Sequence, residues 1–121
     1  MSINSYKDLI VWQKSMDLVV EVYNITEFYP REEVYGLVSQ TRRCAVSIPS
    51  NIAEGRGRGT RKDFAQFLRI SLGSCNELAT QIEIAKKLPK TKNLNFSKSE
   101  SLLEEIIKIL YTMIKNLSLD N

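Results

Sequence analysis

Residues 61–88 read RKDFAQFLRISLGSCNELATQIEIAKKL, and this stretch decides the fold. Phe64, Leu68, Ser71, Cys75, Leu78, Ile82 and Ala85 recur at alternating steps of four and three. Those steps return to one face of a helix, so the segment predicts a long amphipathic helix over about 61–88 with a heptad-like seam. Phe67, Leu72 and Ala79 flank the seam, while Ser71, Gly73 and Ser74 keep its middle small enough for a close neighbour. Thr60 and Asp63 form a helix-start signal, and Pro89 stops the helix. No segment alternates with period two for long enough to be a strand.

Three further helices flank it. The first is expected over about 7–28. Leu9, Trp12, Met16, Val19 and Tyr23 form one stripe, and Val11, Leu18, Val22 and Ile25 widen it. A surface that wide can meet two neighbours, or one neighbour and another subunit. The second is expected over about 31–54, with Val34, Leu37, Val38, Ala45, Ile48 and Ile52 as its apolar face. Pro49 removes a hydrogen bond from that helix. Asn51 to Glu54 has capping-box spacing, which favours a break, but the apolar phase carries across the proline, so a kink at Pro49 is the preferred reading. Gly55-Arg-Gly-Arg-Gly59 reads as a turn, because three glycines in five residues weaken a helix. The fourth helix is expected over about 98–117 after a capping box at Ser97–Glu100, with Leu103, Ile106, Leu110, Met113 and Leu117 as its stripe. Four amphipathic helices with short connections predict an all-α, antiparallel up-down-up-down bundle, a single domain over 1–121.

Composition limits the chemistry. The chain has 121 residues, net charge +3 and no histidine. Imidazole base catalysis and His-ligated metals are excluded, and neither a metal nor a cofactor is expected. Cys44 and Cys75 have no CxxC spacing and read as small buried residues. No signal peptide is visible, and no apolar run approaches the ~20 residues that span a bilayer. A cytoplasmic protein without membrane contact is expected.

Charge is uneven. Between Arg42 and Arg69 lie Arg42, Arg43, Arg56, Arg58, Arg61, Lys62 and Arg69, against only Glu54 and Asp63. Gly55–Lys62 has neither P-loop spacing nor a preceding strand. It reads better as an electrostatic contact. Arg56, Arg58, Arg61 and Lys62 flank a turn beside a helix N-terminus, where N–H groups and guanidinium forks suit RNA or DNA phosphates. The plain alternative is a solvated basic loop. Arg42, Arg43 and Arg69 are secondary candidates; Arg42 and Arg69 also have Glu77 and Glu83 as candidate partners. Asn51, Glu54, Glu77 and Gln81 are expected to form a structural polar layer fixing helix register.

These residues carry a resemblance. Tyr6–Lys14, Tyr29–Leu37, Gln40–Arg43, Ser47-Ile-Pro-Ser-Asn-Ile-Ala-Glu-Gly55 and Phe64–Gln81 resemble the bacterial 23S rRNA intervening-sequence proteins. That resemblance implies a four-helix bundle, a homopentamer and no enzymatic activity. It also implies kinship with the accessory variability determinant of diversity-generating retroelements, a basic pentamer that associates with reverse transcriptase and nucleic acid. In a ring of five, the charge of each chain would sum to about +15 and strengthen a phosphate-attracting field. The functional expectation is a non-enzymatic oligomer touching nucleic-acid phosphates. The alternative is a protein–protein adaptor whose basic patch meets an acidic partner.

Overall fold

The computed structural model describes residues 5–119; residues 1–4 and 120–121, the ends of the domain expected over 1–121, lie outside the described residues. Its four α-helices are α1 (Ile10–Thr26), α2 (Ser39–Arg58), α3 (Arg61–Ala85) and α4 (Ser97–Leu119). A 3-10 turn at Tyr6–Asp8 precedes α1, and a 3-10 turn at Arg31–Glu33 followed by a π-helix at Val34–Val38 leads into α2. No strand occurs among the described residues. Contacts between neighbouring helices run in opposite senses. Lys14 meets Glu105 where Glu21 meets Lys98. Cys44 reaches Ser74 where Ile48 accepts from Ser71. Lys86 meets Glu100 where Arg61 reaches Asn116.

Leu18, Ile48, Ile52, Leu68, Leu78, Ile106 and Leu110 are fully buried and join all four helices in one core. Burying each such side chain stabilises the fold by about 1.5–3 kcal/mol. Three buried hydroxyls donate to backbone carbonyls, Ser15 to Val11, Thr26 to Val22 and Ser71 across to Ile48, whereas those of Thr41 and Ser99 have no partner among the described residues.

The stripe on α1 differs from the expected one. Val11, Leu18, Val22 and Ile25 face the core, together with Ser15 and Thr26. Met16 and Tyr23 are exposed, and Leu9, Trp12 and Val19 are half-buried. Both apolar sets have helical spacing, so periodicity alone does not rank them. Two small hydroxyl residues that bond within their own helix complete the inner face.

The second helix also departs from expectation. Its first turns are the 3-10 and π segments, and Val34 is exposed rather than buried. The Glu33 carboxylate accepts from the Leu37 backbone N–H, holding the wide π turn open at its start. At the other end α2 runs through Gly55-Arg-Gly-Arg to Arg58, so the expected turn is mostly helix. Gly55 is buried at the α3 contact, where an added Cβ would lie 2.6 Å from Phe67 Cβ. Gly59 ends the helix in the left-handed conformation at φ 88°. Tight packing therefore keeps Gly55 helical, against its propensity.

Pro49 lies inside α2, which continues as one helix from Ser39 to Arg58. The proline removes the donor to the Ala45 carbonyl. Side chains around it reinforce the neighbouring carbonyls. Ser47 Oγ donates to Cys44 O, Ser50 Oγ to Val46 O, Asn51 Nδ2 to Ser47 O, and Ser71 Oγ to Ile48 O.

α3 stops at Ala85, three residues before the expected end, and residues 86–96 form a turn-rich link in which Thr91 Oγ1 donates to Ala85 O. At α4 the expected capping box is replaced. Asn95 Oδ1 accepts from both the N–H and the hydroxyl of Ser97, so Ser97 lies inside the helix.

Two substitutions test the glycine run. Gly55→Ala should destabilise the fold by about 1–3 kcal/mol through overpacking against Phe67. Gly57→Ala meets open space and should stabilise it by about 0.5 kcal/mol. Urea unfolding midpoints of the two variants should move in opposite directions.

Candidate nucleic-acid interface

Gly59 and Thr60 are the whole link between α2 and α3, so the last turn of one helix and the first turn of the next share one end of the bundle. Thr60 Oγ1 accepts from the Asp63 backbone N–H at 3.1 Å and fixes the start of α3. Arg56 and Arg58 sit in the last turn of α2, where positive charge complements the helix dipole. Arg61 and Lys62 open α3. The sequence motif thus brings its four main cations to one end.

Their freedom to meet a ligand differs. Arg58 Nε donates to Glu54 Oε2 at 2.8 Å, and its guanidinium lies 4.8 Å from the centre of the Phe67 ring. Arg61 donates to the Asn116 carbonyl at 3.0 Å, and Arg69 reaches Ser118 Oγ at 3.4 Å. Both lie over the last turn of α4, whose carbonyls lack helical partners and carry partial negative charge. Arg56 and Lys62 have no hydrogen bond or ion pair among the described residues.

Arg42 belongs to a different structure. Nε donates to Thr26 Oγ1 at 2.8 Å, a terminal nitrogen reaches Tyr23 O and Glu27 Oε2, and the guanidinium sits 4.5 Å from the Tyr23 ring centre. Its observed acid partner is Glu27, not Glu77 or Glu83, and it clamps the end of α1 to the start of α2. Arg43 is exposed beside a shallow groove between α2 and α3, lined also by Cys44, Ser47, Asn51, Ser74 and Glu77.

The expected polar layer of Asn51, Glu54, Glu77 and Gln81 does not assemble as one network. Asn51 and Glu77 line the α2–α3 groove, but Asn51 Nδ2 bonds its own helix. Glu54 is exposed and pairs with Arg58. Gln81 is buried, and its Oε1 has no hydrogen-bond partner among the described residues. Glu77 is close enough to Cys44 to raise its pKa, and Cys44 lies ten positions before Glu54 on α2. At 1.5 Å per residue that places the two carboxylates about 15 Å apart along the bundle. Register is instead held by small contacts the sequence left unremarked, such as Ser47 Oγ to Ser74 Oγ at 2.7 Å.

Cys44 and Cys75 are both buried and free, as their residue type suggested. Burial pushes each thiol up to about 12, and burial likewise pushes the Tyr29 phenol up to about 12. Among the described residues no three His, Cys, Asp or Glu side chains group to hold a metal ion. No helix among them is long and apolar enough to cross a membrane.

An all-α four-helix bundle is the class that the fold defines. Residues 7–112 match the model of the 23S rRNA-intervening sequence protein family, and the chain belongs to that family. No curated protein matches it at a significant level.

Arg42→Ala should destabilise the fold by about 1–2 kcal/mol, because it strips hydrogen bonds to a charged donor from the α1–α2 junction. A urea titration checks this. Alkaline pH should also lower stability. In the unfolded chain the two thiols ionise from about pH 9, whereas the folded state holds them protonated to about 12. Their contribution is complete below pH 9 and is lost as pH rises above it. Lys86 and Lys90, raised by hydrogen bonds to Glu100 and Glu32, act in the same direction. Thermal melts between pH 8 and 11 should show a falling Tm.

Proposed function

We propose that this protein is a non-enzymatic, cytoplasmic, self-associating bundle whose α2–α3 end contacts nucleic-acid phosphates. The observation that carries the reading is the state of Arg56 and Lys62. They flank a two-residue link beside the first N–H groups of α3, and no acid among the described residues neutralises either one. Such groups bind a polyanion by releasing its counterions, which supplies affinity without base choice. Arg58, Arg61 and Arg69 add field while remaining attached to the fold. Arg43 is a peripheral contributor, and Arg42 contributes structure.

Self-association is supported by the outer face of α1. Ile10 is 63% exposed, Val20 59%, Tyr23 41% and Met16 40%. Beside them, Trp12, Val19, Val46, Pro49 and Ala53 line an apolar groove between α1 and α2. Met16 lines that groove too, and an exposed apolar groove of this kind suits burial between copies. A homopentamer is the assembly we adopt from the family resemblance. The same face also favours the second reading, a protein–protein adaptor without a nucleic-acid role.

One titration separates them. The wild-type protein should bind a 20-base-pair duplex with affinity that falls steeply as salt rises. Arg56→Glu with Lys62→Glu should weaken binding by about tenfold or more at moderate salt and flatten the salt slope. Unchanged affinity in that double variant would leave the adaptor reading. Light scattering gives the mass in the same experiment; a monomer would remove the assembly.

A further inference from the structure

The opposite end of the bundle carries a second cationic segment and the most exposed aromatic side chain. Lys86, Lys87, Lys90, Lys92 and Lys98 lie in thirteen consecutive residues with no acid among them. That is denser than Arg42–Arg69 as a whole, which holds seven cations in twenty-eight residues. Lys86, Lys90 and Lys98 are paired to Glu83 and Glu100, to Glu32, and to Glu21. Lys87 and Lys92 are exposed and have no ion pair among the described residues.

The α1–α2 connection packs against this lysine loop. Pro30, Glu32 and Glu33 share a pocket with Leu88, Pro89 and Lys90, and Phe28 lines a second pocket with Leu94 and Asn95. Two aromatic rings project from that connection into solvent. Tyr35 is 96% exposed and Phe28 71% exposed. The π-helix at Val34–Val38 presents Tyr35, and its wide turn is held by Glu33 rather than by any contact of the tyrosine ring. A large ring left wholly in water contributes nothing to the core. Lysines and exposed rings carried on two segments that pack together suit a strand with unpaired bases, with phosphates on the cations and base faces on the rings.

We infer that this end is a stacking platform for single-stranded nucleic acid, with Tyr35 and Phe28 as the rings and Lys87 and Lys92 as the free cations. The inference rests on the nucleic-acid reading above and extends it. The ligand then has unpaired bases as well as phosphates, and it meets the bundle at both ends.

The test uses full-length protein with labelled twelve-nucleotide oligo-dT and oligo-U strands, and a duplex as control. Tyr35→Ala should lower affinity for a single strand by about 5- to 150-fold. It should leave duplex affinity within about twofold, since the phosphate field is unchanged. Tyr35→Phe should retain single-strand affinity, because stacking needs the ring and not the hydroxyl. Circular dichroism confirms the fold of each variant. Loss on either strand supports the platform, and the strand that loses more identifies RNA or DNA. Wild-type single-strand affinity in Tyr35→Ala overturns the inference. So does an unchanged affinity accompanied by a change in solution mass, which would assign the ring to a protein contact. If Tyr35→Ala keeps wild-type single-strand affinity while duplex binding is still lost with Arg56→Glu and Lys62→Glu, only the platform falls. If the wild type binds neither duplex nor strand, both readings fall.

Discussion

Gly55 has no side chain, and an added Cβ would meet Phe67 Cβ at 2.6 Å and Phe64 at 3.2 Å. That spacing sets how closely α2 approaches α3. The rest of the seam is correspondingly small: Cys44, Ser47, Ser71, Ser74 and Cys75 occupy it, and Ser47 bonds Ser74 directly. Close backbones let Ser71 reach the Ile48 carbonyl, next to the place where Pro49 provides no donor. The seam therefore admits a proline inside a helix while neighbouring carbonyls keep extra partners. It also places the end of α2 beside the start of α3, which collects the cations. Fold and candidate site share one constraint.

Formal charge overstates available charge. Seven cations between Arg42 and Arg69 suggest a broad basic surface. In the folded chain Arg42 clamps α1, Arg58 is shared between Glu54 and Phe67, and Arg61 and Arg69 lie over the end of α4. Arginine suits these tasks because its planar fork serves several acceptors at once and its charge opposes a helix C-terminus. Lysine, a flexible point charge, makes ion pairs to Glu105, Glu83, Glu100, Glu32 and Glu21.

Much of the architecture was legible in the residues. The seam of α3 from Leu68 to Ala85 is buried as its spacing requires, and Leu103, Ile106 and Leu110 face inward on α4. The α1 face was not legible, because two apolar sets share the helical period and only tertiary packing chooses between them. The glycine run misled for a related reason. Propensity opposes helix at Gly55 and Gly57 by about 1 kcal/mol each; packing against Phe67 overrides it at Gly55, and Gly57 follows in the same helix although it faces open space. The π turn had no pattern to reveal it, since a carboxylate reaching a backbone N–H four residues on leaves no periodic mark. For the candidate site, the clustering of Arg56, Arg58, Arg61 and Lys62 followed from the short link. Which of them stay unpaired depends on acids and carbonyls supplied by other helices, and a linear reading does not contain that.

The two-residue link at Gly59–Thr60 also bears on the order in which the chain acquires its shape. Arg58 meets Phe67 across only nine positions, whereas Lys14 meets Glu105 across ninety-one. Bringing the second pair together closes a far larger loop and forfeits more chain entropy before any contact rewards it. Loop-closure entropy accordingly favours pairing of α2 with α3 ahead of the contact between α1 and α4.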